Sequence, residues 1–224
     1  MGYWWSLVQI QSPRLIFMSR PLSRAYFQNL DVCYLAKDLL GKILITNLNG
    51  QITSGIIVET EAYRGPDDRA SHSYNFRRTP RNETMYRSGG YSYVYICYGI
   101  HHLFNIVTAP EGIAHAVLIR ALEPLEGLST MRTRRNGASD NILTKGPGAL
   151  SEAMGITKSL DANTLWKSHS KISVLDAGII YPDDKIISSL RIGVESAGES
   201  ALWPWRYFVA GNRNVSAHKR PFSG

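Results

Sequence analysis

The pair Asn49-Gly50 stands between two apolar runs, KILITNL and QITSGIIVETEAY. Both central residues of a tight two-residue turn must accept positive φ, and Asn-Gly is the strongest short signal for that geometry. The pair therefore commits this part of the chain to an antiparallel hairpin. Side chains alternate between the two faces of a strand. In the second arm that alternation places Ile57, Glu59, Glu61 and Tyr63 on one face, and Ile56, Val58, Thr60 and Ala62 on the other.

The flanking segments follow the same logic. Residues 22–40 read as helical, with Asp31 as N-cap, Val32, Leu35, Ala36 and Leu39 on one face, and Gly41 as the stop. Residues 64–90 are polar, punctuated by Gly and Pro and rich in Arg, which predicts a long functional loop. A second hairpin is expected with strands near 91–98 and 100–108, turning at Tyr98-Gly99, and another strand over 116–124. Residues 125–136 read as a basic helix carrying Arg132, Arg134 and Arg135, and a further helix opens at the Gly-Pro-Gly turn 146–148. The remainder alternates short strands with turns, as in LRIGVESAG and RYFVAG. No internal repeat, low-complexity tract or linker interrupts the pattern. It predicts an α+β fold: a single domain with a mainly antiparallel, curved β-sheet, flanking helices and a protruding β-hairpin.

With 224 residues, 44% hydrophobic and 19% charged, the chain has ordinary globular composition and length for a sizeable core. Its net charge of +7 favours a polyanionic partner, because Lys and Arg that neutralise phosphates release counterions. The two cysteines, Cys33 and Cys97, make no disulfide framework, so a reducing compartment is the simpler setting. The six histidines form no HExxH or zinc pattern; no metal and no cofactor are expected. The apolar N-terminal stretch is broken by Gln9, Gln11, Ser12, Pro13 and Arg14, too soon for a membrane span, so no membrane partner is expected. Residues 1–17 read as an extension, and residues 18–224 as the domain, with Met18 the natural start. Mass determination on the native protein is expected to find Met18 at its N-terminus; Met1 or Gly2 there would overturn that reading.

Several residues could carry chemistry. A carboxylate in a partly apolar pocket can act as general base, which fits Glu61, but Glu59 shares its face and spacing alone does not choose between them. Tyr63, Tyr91, Tyr93 and Tyr95 suit half-buried strands, and aromatic faces also stack nucleobases. Tyr98 is expected at a hairpin tip, where an aromatic needs somewhere to go. Arg64, Arg69, Arg77, Arg78, Arg81 and Arg87 could track a phosphate backbone or form a solvated surface. The amides at the 146–148 turn, which follows Lys145, favour anions weakly.

The blocks VETEAYRGPDDRASHS, RTPRNETMY, YVYICYGIHHLFNIVT, AVLIRALEPLEG, LTKGPGALSEAMGI and RIGVESAGE…RYFVAGN, running from about residue 22 to 215, resemble the 3-methyladenine DNA glycosylases of the alkyladenine type. The resemblance implies an enzyme that flips alkylated or deaminated purines from double-stranded DNA and hydrolyses the glycosidic bond, leaving an abasic site without lyase action. It implies Glu61, not Glu59, as catalytic base, with Arg120 helping to hold the water. Tyr63, His72 and Tyr95 would bind the extruded base, and Asn105 would crowd the 2-amino group of guanine. Tyr98 would fill the gap in the duplex, and Arg78, Arg81 and Lys145 would contact DNA. Ala149 stands where many such proteins have lysine, which weakens one expected phosphate contact. A monomer is expected, in bacterial cytoplasm or, for a eukaryotic source, the nucleus. Two rivals share parts of this evidence. A non-catalytic lesion-binding protein would be indifferent to loss of Glu61, and a free nucleosidase would leave the basic loop and Tyr98 without purpose.

Overall fold

A computed structural model describes residue 16, residues 18–168 and residues 170–216. The expected extension, residues 1–17, lies outside these except for Ile16. Asn49 and Gly50 take φ of 53° and 79°, as the two-residue turn requires. They join β2 (Ile43–Leu48) to β3 (Gln51–Arg64), closing on the pair Leu48↔Gln51.

Among the described residues one sheet also contains β1 (Arg20–Pro21), β4 (Ser92–Cys97), β5 (His101–Thr108), β6 (His115–Glu126), β7 (Ile172–Asp176), β8 (Ile186–Ser189) and β9 (Arg206–Val209). Its order is β1-β7-β2-β3-β6-β5-β4, with β9 pairing both β3 and β8, and every pairing is antiparallel. Helices α1 (Val32–Asp38), α2 (Leu128–Arg134) and α3 (Pro147–Ala153) flank it. The fold is therefore α+β, built on one curled antiparallel sheet.

The curl centres on β3. Its first half pairs with β2, its second half with β9, and β6 follows it along the other edge. Pairing with β6 passes from Ile57↔Leu122 to Glu59↔Ala121 to Thr60↔Ile119. Val58 is thus an extra residue in β3 and Arg120 an extra residue in β6. Such bulges re-aim side chains and increase twist. They also correct the expected alternation: Ile57 joins Ile56 and Val58 in the main core and does not stand beside Glu61.

Two further expectations need correction. The helix expected over 22–40 is divided into a 3-10 turn, Arg24–Gln28, and α1. Asn29 accepts a hydrogen bond from the Asp31 amide, a local turn that competes with helical pairing. Asp31 then caps α1 through the Tyr34 amide. In LRIGVESAG, residues 190–194 form no strand and Glu195–Leu202 is a 3-10 run. Gly193 and Gly198 take positive φ there, and Arg191 turns inward to a buried partner.

The strands β4 to β6 bury both faces. Val94, Ile106, Val117 and Ile119 enter the main core, whereas Tyr93, Val107 and Ala116 meet Met85, Tyr86 and Ala114 on the other side. That second, smaller cluster is the floor of the site.

Candidate active site

Cross-strand register delivers the site residues as a row. Tyr93 of β4 pairs with Asn105 of β5, Asn105 with Leu118 of β6, Leu118 with Glu61 of β3, and Glu61 with Arg206 of β9. One step away, Tyr63 lies opposite Ala116, and Ala116 opposite Val107. Directly paired residues share a face of the sheet. The pleat therefore brings Glu61, Tyr63, Tyr93 and Asn105 to one surface. The loop at residues 70–72 closes over it, leaving a cleft lined also by Met85, Tyr95 and Ala116. The His72 and Tyr95 rings meet inside at 4.5 Å, nearly edge-on. The remaining cavity, about 20 Å³, has room for about one water.

Both carboxylates on this face are fully buried, and their partners differ. Glu61 Oε1 accepts the Ile192 amide at 2.8 Å and pairs with Arg120 Nη1 at 3.1 Å. Its Oε2 accepts the Tyr63 hydroxyl at 2.8 Å. Glu59 Oε1 takes Arg120 Nε at 2.8 Å, Arg206 Nε at 2.7 Å and the Ser216 hydroxyl at 2.6 Å, while Oε2 takes the Ser216 amide at 2.7 Å. Arg120 bridges the two acids. It can do so because it is the extra residue of β6: Ile119 and Ala121 on either side go to the core.

The electrostatics follow from these contacts. Burial pushes the Glu59 carboxyl up, but Arg120, Arg206 and the Ser216 hydrogen bonds outweigh it and hold the group below its ordinary range. Burial opposes the charge of Arg120, yet Glu61 and Glu59 keep it protonated well above its usual value. Burial and then the Glu61 charge raise the Tyr63 hydroxyl far above ordinary tyrosine, so it stays a neutral donor. Burial, followed by Arg81 and Arg77, pushes His72 down to about 4. Its ring is neutral at physiological pH, with Nδ1 hydrogen-bonded to the Tyr93 hydroxyl at 2.8 Å.

Asn105 is buried and donates to the Tyr93 carbonyl at 3.1 Å, which fixes its amide against the cleft. Tyr98 is 91% exposed at the tip of the β4–β5 hairpin. Its φ is 50° and that of Gly99 is 75°, and Ile100 N closes the turn on Cys97 O at 3.2 Å. The candidate basic residues are differently engaged. Arg78 is exposed and doubly bonded to Glu83, at 2.9 and 2.6 Å, so a phosphate would compete with that carboxylate. Arg81 donates to the Ile96 carbonyl on the hairpin at 3.2 Å. Lys145 bridges the backbone of Ala121 and donates to the Arg213 carbonyl at 3.1 Å.

Four residues of this assembly are passed over by sequence reasoning: Asp68, Arg191, Arg206 and Ser216. Asp68 and Arg191 form a doubly hydrogen-bonded ion pair with neither side chain exposed. Arg191 also donates to the carbonyls of Ala62 at 2.9 Å and Ser200 at 2.8 Å, and lies 4.8 Å from the centre of the Tyr63 ring. It thereby fastens the loop that presents the Ile192 amide to Glu61. These partners are too far apart along the chain for any periodicity to reveal; the one signal was the position of Asp68, Arg191 and Arg206 inside the quoted blocks. Among the described residues no cluster of three or more His, Cys, Asp or Glu side chains could hold a metal ion, and no helix is long and apolar enough to cross a membrane.

The family model for methylpurine-DNA glycosylase matches residues 25–213. A relative from Chlamydia abortus is 46% identical over 190 residues, covering 84% of this chain and 97% of its own. Relatives from Natranaerobius thermophilus and Bacillus cereus are 44% and 43% identical over 197 residues, covering 87% and 83% of this chain and 98% and 94% of theirs. All three bear the provisional name 3-methyladenine DNA glycosylase. With the matched segment spanning strands β2 to β9, the cleft and both buried acids, the chain belongs to the methylpurine-DNA glycosylase family, hydrolases of N-glycosyl bonds in DNA.

Proposed function

We propose that this glycosylase extrudes an alkylated purine from double-stranded DNA into the cleft of Tyr63, His72, Tyr95 and Asn105, and that Glu61 activates the attacking water. The observation that carries the reading is Glu61 itself: a fully buried carboxylate on the cleft face, oriented by three separate donors. A stacked base is out of reach of any such group, so the nucleotide must first leave the duplex, at a cost of a few kcal/mol. Tyr98, exposed at the hairpin tip, is suited to fill the gap. The His72–Tyr95 contact must open to admit a purine, so base entry and cleft opening are one step.

The water oxygen then bonds to C1′ while the C1′–N bond breaks, and the water proton passes to Glu61. An N3- or N7-alkylated purine leaves as a neutral base, because its positive charge receives the electron pair of the broken bond. Tyrosine faces favour such a cation, and the neutral ring of His72 adds no opposing charge. Asn105, whose amide is held by the Tyr93 carbonyl, would crowd the 2-amino group of guanine. Arg81 and Lys145 are the basic side chains to which DNA phosphates are assigned, with Arg78 available once Glu83 is displaced. The protein acts as a monomer in this scheme.

The test is single-turnover base release from duplex oligonucleotides carrying a methylated purine or hypoxanthine, in EDTA. The expected result is free base and an abasic strand whose backbone stays uncut. Salt-sensitive binding to the same duplexes with no base released would favour the lesion-binding alternative.

A further inference from the structure

The proposed chemistry uses one of two buried acids on the cleft face and leaves Glu59 without a task. Its surroundings are more elaborate than a structural ion pair needs. Two guanidiniums and both polar groups of Ser216 converge on it. Ser216 comes from the segment after β9, which the bonds Asn212 N to Val209 O, Val215 N to Asn212 O and Asn214 N to Asn212 Oδ1 fold back across the sheet.

We propose that Glu59 is a positioning residue: closed over by Ser216, it fixes the plane of the Arg120 guanidinium from which Nη1 meets Glu61. This rests on the reading of Glu61 as the base. Three observations support it. Arg120 sits on a bulge, where the strand pleat no longer dictates its direction, so something else must aim it. The guanidinium is a rigid planar fork, so fixing Nε on Glu59 also fixes where Nη1 lies. Arg206 supplies Glu59 with a second cation, so that the group of two acids and two guanidiniums is balanced and Arg120 divides its charge between both carboxylates.

The test compares wild type, Glu59→Gln, Ser216→Ala and Glu61→Gln by single-turnover release of a methylated purine from duplex DNA across pH, with lesion-DNA affinity and circular dichroism alongside. Glu59→Gln is expected to lower the rate about 10- to 100-fold, the effect of misplacing a catalytic contact, with lesion-DNA affinity retained. Its pH profile should move as well. The charged or titratable groups that face Glu61 are Arg120 from β6, Arg206 from β9, Glu59 and Tyr63 from its own strand, Tyr95 from β4 and Arg191 from the 190–194 loop. In the variant Arg120 is no longer shared, so the acid limb shifts to lower pH. Ser216→Ala keeps every charge and should show a smaller loss, below about tenfold; it decides the matter if Glu59→Gln folds poorly. Wild-type rates in both variants, or a slowed Glu59→Gln enzyme with an unmoved acid limb, would overturn the proposal. A wild-type rate in Glu61→Gln would instead remove the reading on which it rests.

Discussion

Glu61→Gln lowers the single-turnover rate of base release at least about a hundredfold, the lower range for removing a general base, while affinity for lesion-bearing duplex stays within a few-fold of wild type. The substitution is close to isosteric, and the site tolerates it for reasons visible in the contacts. The new amide oxygen can still accept from the Ile192 amide and from Arg120, in place of Glu61 Oε1. Arg120 keeps Glu59 as a buried counter-charge. The new amide nitrogen faces the Tyr63 hydroxyl, which can rotate to accept instead of donate. Nothing in the cleft lining changes, so on the proposed mechanism extrusion and stacking proceed and only proton abstraction is lost. Rapid-quench measurement of released base, paired with a gel-shift isotherm, separates the two effects. A rate within tenfold of wild type would sink the assignment of Glu61 as base.

The second large effect is on stability. Arg191→Met should destabilise the fold by about 3–5 kcal/mol, the cost of leaving one member of a buried ion pair uncompensated. In a domain of this size that corresponds to a melting temperature lower by about 10 °C. Asp68 is fully buried, and its two oxygens both face Arg191. The carbonyls of Ala62 and Ser200 lose a donor in the same substitution. The double variant Asp68→Leu/Arg191→Met should recover part of the loss, because two apolar side chains leave no buried charge behind. Urea unfolding of both singles and the double completes the cycle. A cost below about 1 kcal/mol for Arg191→Met would show that water reaches the pair, since exposed pairs contribute about that little. Activity should fall together with stability, because Arg191 anchors the loop whose Ile192 amide holds Glu61.

What could be read from the sequence was local. Asn49-Gly50, the Asp31 cap, the Tyr98-Gly99 turn and the helix opening at Pro147 each depend on a few adjacent residues, and each stands where expected. The alternation of β3 correctly puts Glu61 and Tyr63 on one face. It fails at Ile57, because the paired bulges at Val58 and Arg120 belong to the register between two strands and leave no mark in either alone. The same holds for the charges. Glu59 and Glu61 look equivalent by spacing, and the resemblance chose between them. Their real difference lies in Arg206 and Ser216, which reach Glu59 from distant parts of the chain. Asp68, in the expected loop, and Arg191, in an expected short strand, went unremarked for that reason as well: nothing nearby announces that both are buried.

Tyr98 carries a conflict of another kind. With Gly99 it forms a turn in which both residues have positive φ, a conformation that suits glycine and that a residue with a bulky side chain enters only at a cost. The ring meanwhile stands 91% exposed. Judged as a hairpin, the chain would do better with glycine there, and a campaign that ranked substitutions by melting temperature alone would select it. Such a variant would relieve the turn and, on the proposed mechanism, lack the side chain assigned to fill the gap in the duplex. On that mechanism the strain is met during folding, so that a side chain meant to enter the duplex need not be organised at the moment of encounter. If Tyr98 is the wedge proposed above, thermal robustness and search for damage pull in opposite directions at a single residue, and an engineered form of this enzyme should be stabilised anywhere but there.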